Sequence, residues 1–204
     1  MEYAEEQREW GSGGGGAVRP ELVSPETKLL RAIFGVDAED PAGREPAPRD
    51  VNVQFHPGSG RLYFVFKRAY QADPMELVTL VKRGVTAESV QALAKLMSMS
   101  KERLADTLGL ASATVNRKSR DQKPLSSDES SRVIGMARLV GQVQAIVEES
   151  GDPEGFDAAS WVSQWLEQPL PALGGRRPAE LMDTPEGQNL VSNLVARLQT
   201  GAYA

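Results

Sequence analysis

The chain has 204 residues, of which 40% are apolar and 25% charged, with no cysteine and one histidine, His56. This length provides one or two small domains with a sizeable core. The lack of cysteine excludes a disulfide framework, a cysteine nucleophile and the usual structural zinc sites, and one histidine cannot form a histidine pair around a metal. We therefore expect neither a metal nor a cofactor.

The net charge of −5 is unevenly distributed. Residues 73–150 carry 11 basic and 10 acidic side chains (+1), whereas residues 1–72 carry 9 and 11 (−2) and residues 151–204 carry 3 and 7 (−4). The first residues, MEYAEE, are acidic where a secretory signal would be basic, and no apolar run approaches the roughly 18 residues of a membrane span. We expect a cytoplasmic protein with no membrane partner, whose middle part suits an anionic surface.

Residues 1–72 predict a flexible N-terminal extension. The glycine-rich start favours a flexible coil. Ser24 and Pro25 are typical of a helix start, and Gly35 of a helix end, so a short helix is expected between them. An acidic, proline-rich linker follows.

A β-hairpin is predicted at the end of this extension. Residues 51–55 and 62–66 are β-branched and aromatic runs, and the segment between them, His-Pro-Gly-Ser-Gly, is typical of a turn. His56 lies in that turn, where a surface histidine is the expected interpretation and a catalytic one is not.

Residues 73–150 are predicted to form a bundle of short helices. Capping residues mark the starts, namely Asp73 before a first-turn proline, Ser100, and the capping box of Ser126 with Glu129. The predicted helices run from Pro74 to about Arg83, onward from Thr86, from Lys101 to Leu108, from Ser112 to about Arg120, and from Ser126 to about Glu148.

Residues 151–204 predict a second, smaller helical domain. Asp157 opens a helix that places two tryptophans on one side, and Thr184 with Pro185 begins the last helix. The last helix has a wide apolar stripe, which packs its own domain, offers an edge to a partner, or does both. The stripe consists of Leu190, Val191, Leu194, Val195 and Leu198.

A helix-turn-helix pattern lies within residues 105–115. Ala105 supplies the small residue where two helices cross, Gly109 supplies the positive φ of the turn, and apolar residues lock the pair to the core. The apolar residues are Leu108, Leu110 and Val115. The fold class is therefore mainly α, with a Cro-like helix-turn-helix bundle, a small C-terminal helical domain and the N-terminal extension.

The second helix of this pattern predicts a DNA-reading surface. With Val115 fixed inward, helical geometry places residues 113, 116, 117 and 120 on one outer face. Arginine can pair with a guanine edge and asparagine with an adenine edge, while flanking lysines suit phosphates. The candidate DNA-binding residues are Ser112, Ala113, Asn116, Arg117, Lys118, Arg120 and Lys123. The alternative is a helical hairpin whose basic residues only keep it in solution.

The helix-turn-helix together with the string LGGRRPAELMDTPEG, residues 173–187, resembles the Xre/MbcA/ParS antitoxins. The resemblance covers about residues 70–204. It implies a non-enzymatic homodimer, held through the C-terminal domain, that represses its own operon by binding operator DNA. It also implies a RES-type toxin partner that consumes NAD or transfers ADP-ribose, whose active site the antitoxin blocks.

The resemblance also implies which residues bind the toxin, and these lie in the arginine pair of the string, the last helix and the tail. Arg197 and Tyr203 are favoured because arginine and tyrosine dominate interface hot spots. The candidate toxin-binding residues are Arg176, Arg177, Leu194, Arg197, Leu198 and Tyr203. For the two arginines of the string, solvated loop charges are an equally open interpretation.

The sequence leaves a second function class open and disfavours a third. A dimeric helix-turn-helix regulator without a toxin partner shares every feature except the toxin. An enzyme is not expected, because no cysteine, no Gly-x-Ser-x-Gly motif and no metal-ligand spacing assembles a nucleophile with its base.

Overall fold

The computed structural model describes residues 25–35, 59–151, 153 and 155–199. Over these ranges the chain is mainly α-helical, as expected, and contains no β-strand, only an isolated antiparallel bridge between Thr86 and Pro124. The α-helices are α1 (Pro25–Phe34), α2 (Ser59–Gln71), α3 (Pro74–Arg83), α4 (Glu88–Leu96), α5 (Lys101–Thr107), α6 (Ser112–Arg120), α7 (Ser127–Glu149), α8 (Ala158–Trp165) and α9 (Pro185–Gln199). Short 3₁₀ helices at Pro171–Leu173 and Pro178–Leu181 connect α8 to α9.

Helix α7 is the central element, and α2, α3, α8 and α9 all pack against it. Its start has the predicted capping box, in which the Ser126 hydroxyl accepts from the Glu129 amide and the Glu129 carboxylate accepts from the Ser126 amide. Two glycines let neighbours approach its backbone closely. A Cβ at Gly141 would lie 2.1 Å from the carbonyl oxygen of Phe66 in α2, so the close packing of α2 on α7 requires glycine there.

Helix α1 is docked onto the bundle through its C-terminal carbonyls. Arg83 donates to the Ile33 oxygen at 2.8 Å, and the Thr86 amide donates to the Ala32 oxygen at 3.1 Å. Leu29 and Ile33 are fully buried, and α1 packs mainly on α4. The short helix predicted in the N-terminal extension is therefore part of the core.

The strand predicted at residues 62–66 is wrong, because this segment lies inside α2. A short apolar run is compatible with either a strand or a buried helix, and here tertiary packing decides. Val65, Phe66 and Ala69, at helical spacing, are all buried. The other predicted strand (residues 51–55), His56 and the glycine-rich start lie outside the described residues.

Most predicted helix boundaries are confirmed. Asp73 accepts from the Met75 amide at 2.8 Å to cap α3, Gly84 follows its end at φ +80°, and α6 has the predicted bounds. In α8 the rings of Trp161 and Trp165 stack with centroids 5.7 Å apart, and Trp165 is buried as expected for a core residue. Within the described ranges, every helix is too short or too polar to cross a membrane.

Candidate functional site

Helices α5 and α6 form a helix-turn-helix with the geometry that the sequence predicted. Gly109 lies in the turn at φ +59°, and the Leu110 amide donates to the Ala105 oxygen at 2.8 Å. Ala105, Leu108, Leu110 and Val115 are all buried. The apolar residues of the pattern therefore fix α6 to the core by its inner face, and the opposite face points outward.

The turn carbonyls are held by a residue that the sequence analysis missed. Arg132 of α7 is almost fully buried, and its Nη1 donates to the Leu108 oxygen at 2.7 Å and to the Gly109 oxygen at 2.9 Å. Its Nη2 donates to the Asp128 carboxylate. Nothing local in the sequence distinguished it, because α7 carries two arginines, Arg132 and Arg138, among its apolar residues.

The predicted DNA-reading residues of α6 form one exposed surface, which we call the recognition face. Ala113, Asn116, Arg117 and Arg120 are all exposed, and the Arg120 side chain is 78% exposed. Asn116 accepts a hydrogen bond from Lys101 of α5. The structure therefore brings these four residues together, with the Asn116 amide already oriented by a cation.

The flanking residues differ in how accessible they are. Lys123 is exposed, Ser112 is half-buried at the start of α6, and Lys118 forms an ion pair with Glu129. Burial raises the pKa of Glu129, but hydrogen bonds from Lys118 and Ser126 lower it by more, so the carboxyl titrates below its ordinary value. Lys118 is thus engaged in holding α6 to the start of α7.

The Gly-Gly-Arg-Arg segment forms a turn against the residues that follow α8, since the Leu170 amide donates to the Arg176 oxygen at 3.0 Å. Gly174 and Gly175 have φ of +65° and +82°, and no heavy atom lies within 4 Å of a Cβ built on either glycine. Arg177 donates to Glu167 at 3.1 Å and to Glu180 at 3.0 Å, and Glu167 also pairs with Arg103 of α5.

These ion pairs shift the titration of two exposed groups. The hydrogen bond to Glu180 and the charge of Glu167 raise the pKa of Arg177, and the hydrogen bond from Arg177 lowers the pKa of Glu180. Arg176 is exposed. The two arginines of the segment therefore differ, since Arg177 links the segment to Glu167 in the turn after α8, whereas Arg176 is exposed to solvent.

The Thr-Pro-Glu-Gly part of the string builds the start of α9. The Thr184 hydroxyl accepts from the Gly187 amide at 3.1 Å, as expected for a helix cap. A Cβ at Gly187 would lie 1.9 Å from the Leu181 carbonyl oxygen, so glycine is required for this approach. The next residue, Gln188, is buried and donates to the Met182 oxygen at 2.9 Å and to the Arg132 oxygen at 3.0 Å.

Helix α9 has a buried and an exposed side. Leu194 lies in the core with Val191 and Val195, so the structure assigns it to packing, whereas Leu190 and Leu198 are 46% and 44% exposed. Arg197 is also exposed. Tyr203 lies outside the described residues. The polar residues Glu186, Asn189 and Asn193 of α9 are exposed as well. We call the part of the exposed side that is formed by Leu190, Arg197 and Leu198 the outer face of α9.

In the described part of the chain, no three His, Cys, Asp or Glu side chains lie close enough together to hold a metal ion. The candidate functional features are two protein surfaces, the recognition face and the outer face of α9. Helix α7 contacts the elements that bear both surfaces. It packs against α9, and its residue Arg132 donates hydrogen bonds to the turn before α6.

Comparisons with known proteins agree with this division. Residues 76–138 match the antitoxin Xre-like helix-turn-helix domain, and residues 144–201 match the antitoxin Xre/MbcA/ParS C-terminal toxin-binding domain. The Prs ADP-ribosylating antitoxin of Sphingobium sp. (strain YBL2) is 45% identical over 147 residues, which are 72% of this chain and 92% of that protein. Antitoxin Xre of Yersinia enterocolitica is 27% identical over 128 residues, 63% of this chain and 81% of that protein.

A helix-turn-helix followed by a toxin-binding domain defines an antitoxin of a toxin–antitoxin system, a class that acts by binding and regulation and not by catalysis. The chain belongs to the Xre/MbcA/ParS family of antitoxins. The fold class predicted from the sequence and the family resemblance are both confirmed.

Proposed function

We propose that this antitoxin neutralises a RES-type toxin by covering its NAD-binding active site, and that in the cytoplasm it represses its own promoter as a homodimer. The observation that supports the proposal is the presence of two exposed surfaces of different chemistry on one scaffold. The recognition face is basic and polar, while the outer face of α9 is apolar with one arginine.

The recognition face suits a duplex. Asn116, Arg117 and Arg120 project from one side of α6, where arginine pairs with guanine and asparagine with adenine in the major groove. A single such module binds weakly, so two modules related by a two-fold axis are the expected binding unit. This requirement and the family resemblance both support the proposed homodimer.

The outer face of α9 suits a protein partner. Two leucines that each expose nearly half of their surface offer apolar area to a partner, and the arginine next to them is of a residue type that is enriched in interface hot spots. The Sphingobium relative is named for ADP-ribosylation of Prs, and this supports a toxin that uses NAD as its ADP-ribose source. Arg176, exposed in the turn before α9, extends the candidate surface, and Tyr203 is proposed to contact the toxin from the tail.

The test is coexpression with the adjacent reading frame, read out by growth, by pull-down, and by the NAD level and protein ADP-ribosylation of the cells. The wild-type chain should restore growth and copurify with the toxin. The double variant Leu190→Asp/Leu198→Asp should lose both. Val78→Asp on α3 is the matched control, because Val78 is 43% exposed and lies on a different helix.

A shortened chain tests the tail separately. Deleting residues 199–204 should release the toxin while leaving DNA binding unchanged. A truncated chain that still rescues growth would contradict the tail as the blocking element. A wild-type chain that binds DNA but neither rescues growth nor captures a second protein would favour a dimeric regulator without a toxin.

A further inference from the structure

We propose that Arg132 and Gln188 are positioning residues for DNA binding, through which the first turn of α9 fixes the turn that aims the recognition helix. This inference rests on the DNA-binding half of the proposed function. It assigns an effect on DNA affinity to a glutamine in the toxin-binding domain, 56 residues along the chain from Arg132.

Arg132 connects the turn before α6 to helix α9, and it uses its side chain for the turn and its backbone carbonyl for α9. Its guanidinium donates to both carbonyls of the turn before α6, and its own carbonyl oxygen accepts from Gln188 Nε2 at 3.0 Å. Displacement of this α7 segment therefore acts directly on the turn. We call this set of hydrogen bonds the Arg132–Gln188 linkage.

The linkage is buried and tightly enclosed. Gln188 is 9% exposed, and its amide nitrogen donates to carbonyls from two different elements, the Met182 oxygen before α9 and the Arg132 oxygen of α7. Gly135 makes room for the Gln188 side chain, since a Cβ there would lie 1.8 Å from its Oε1. A buried amide with donors to two carbonyls holds one orientation, because every alternative leaves polar groups unpaired.

A second contact ties the same two regions. A Cβ at Gly109 would lie 2.9 Å from the Arg132 Nη1 and 2.9 Å from the Asp183 Cβ, so the exposed turn contacts both α7 and the segment before α9 on its inner side. Base recognition depends on placing α6 side chains accurately against a groove. Loosening the contacts of the turn with Arg132 and Asp183 is therefore expected to reduce DNA affinity more than the free energy of unfolding.

The chain offers a matched control in the same interface between α7 and α9. Gln142 is also buried, its Nε2 donates to the Ser192 oxygen at 3.0 Å, and its Oε1 accepts from the Ser192 hydroxyl at 2.7 Å. The hydrogen bonds of Gln142 do not include the turn before α6. Gln188→Met and Gln142→Met therefore each remove one buried amide, and only the first breaks the linkage.

The experiment measures affinity for a labelled duplex copied from the region upstream of the gene, at a temperature where circular dichroism shows every variant folded. Gln188→Met should weaken binding by about tenfold, and Gln142→Met by less than about twofold. Gly135→Ala, which displaces the Gln188 amide without changing the amino-acid sequence of α9, should weaken binding like Gln188→Met. Amide hydrogen exchange at Gly109 and Leu110 should accelerate in these two variants and not in Gln142→Met.

The outcomes separate the positioning role of the linkage from the proposed repressor function. Equal affinity and equal exchange at the turn in Gln188→Met and Gln142→Met would overturn the positioning role alone. A wild-type chain that does not retain the duplex would overturn the proposed repressor function and the DNA-binding role of the linkage with it. Faster exchange at the turn with unchanged affinity would overturn the positioning role as well, because the linkage would then hold the turn without aiming the recognition helix.

Discussion

Gly135 of α7 lies directly against the side-chain amide of Gln188 of α9, so close that a Cβ at position 135 would lie 1.8 Å from the Gln188 Oε1. A glycine inside a helix costs about 1 kcal/mol relative to alanine. Any larger residue at this position would displace a buried polar group and disturb the hydrogen bonds it makes to two carbonyls.

This relationship predicts a non-additive pair of substitutions. Gly135→Ala alone should destabilise the protein by about 1–3 kcal/mol through overpacking. In the Gln188→Ala background the same change should be neutral or stabilising, because the methyl group fills the vacated space and alanine favours the helix. Urea denaturation of the wild type, the two single variants and the double variant gives the coupling energy, which should exceed about 1 kcal/mol. Additive effects would contradict the contact.

Gly109 predicts a substitution with two separable costs. Gly109→Ala should lose about 1–3 kcal/mol from the positive φ and more from contact with Arg132 and Asp183. Gly174→Ala is the control, because Gly174 has φ +65° with no heavy atom within 4 Å of the added Cβ. Thermal unfolding should therefore show a larger loss for Gly109→Ala. Equal losses of stability in the two variants would contradict the close contacts of Gly109 with Arg132 and Asp183.

The recognition face predicts a variant that loses DNA binding alone. Arg117→Ala/Arg120→Ala should abolish retention of the upstream duplex in a gel shift while leaving toxin binding intact, because the two surfaces are separate. Arg138→Ala, an exposed cation on α7, is the control and should bind normally. For a dimer making about six phosphate contacts, log K should fall with log salt concentration at a slope near −5. Unchanged retention would refute the assignment of α6.

The Lys118 and Glu129 pair predicts a pH dependence of stability. Because the folded-state pKa of Glu129 lies below its ordinary value of 4.5, the folded state binds this proton less readily than the unfolded state. The stabilisation is therefore complete above that value and is lost as the pH falls through the folded-state pKa. Glu129→Gln should cost about 1 kcal/mol or less at neutral pH.

That cost should shrink as the solution is acidified. Denaturant unfolding of the wild type and Glu129→Gln from neutral pH to about pH 3 measures it, since the titration window lies at and below the ordinary carboxyl value. Glu102→Gln on α5 alters an exposed carboxylate and serves as the control. A wild-type advantage that stayed constant down to the acid end would contradict the pair.

The helix starts could be predicted from the sequence because capping is local chemistry. Ser126 and Glu129, for instance, satisfy each other's amides three residues apart, and Asp73 caps α3 from two residues away. The recognition face could also be predicted from local geometry, since burial of Val115 determines which side of α6 points outward. The strand assigned to residues 62–66 failed because its final environment is the surface of α7, far along the chain.

The linkage could not be predicted, because neither Arg132 nor Gln188 has a local reason for its role. Arg132 bonds to carbonyls 23 and 24 residues away, and Gln188 bonds to Arg132 across 56 residues. Leu194 illustrates the same limit, since a wide apolar stripe does not reveal which edge faces the core. Only the packed arrangement separates it from Leu190 and Leu198.

Gly135 of α7 also limits where this chain can be joined to another antitoxin to make a chimera. A chimera that joins α9 of this chain to the α7 of another protein keeps Gln188 and loses the Gly135 and Arg132 that contact it here. A working chimera would have to carry Arg132, Gly135 and Gln188 as one block, so the boundary for grafting lies upstream of α7 and not in the loop after it.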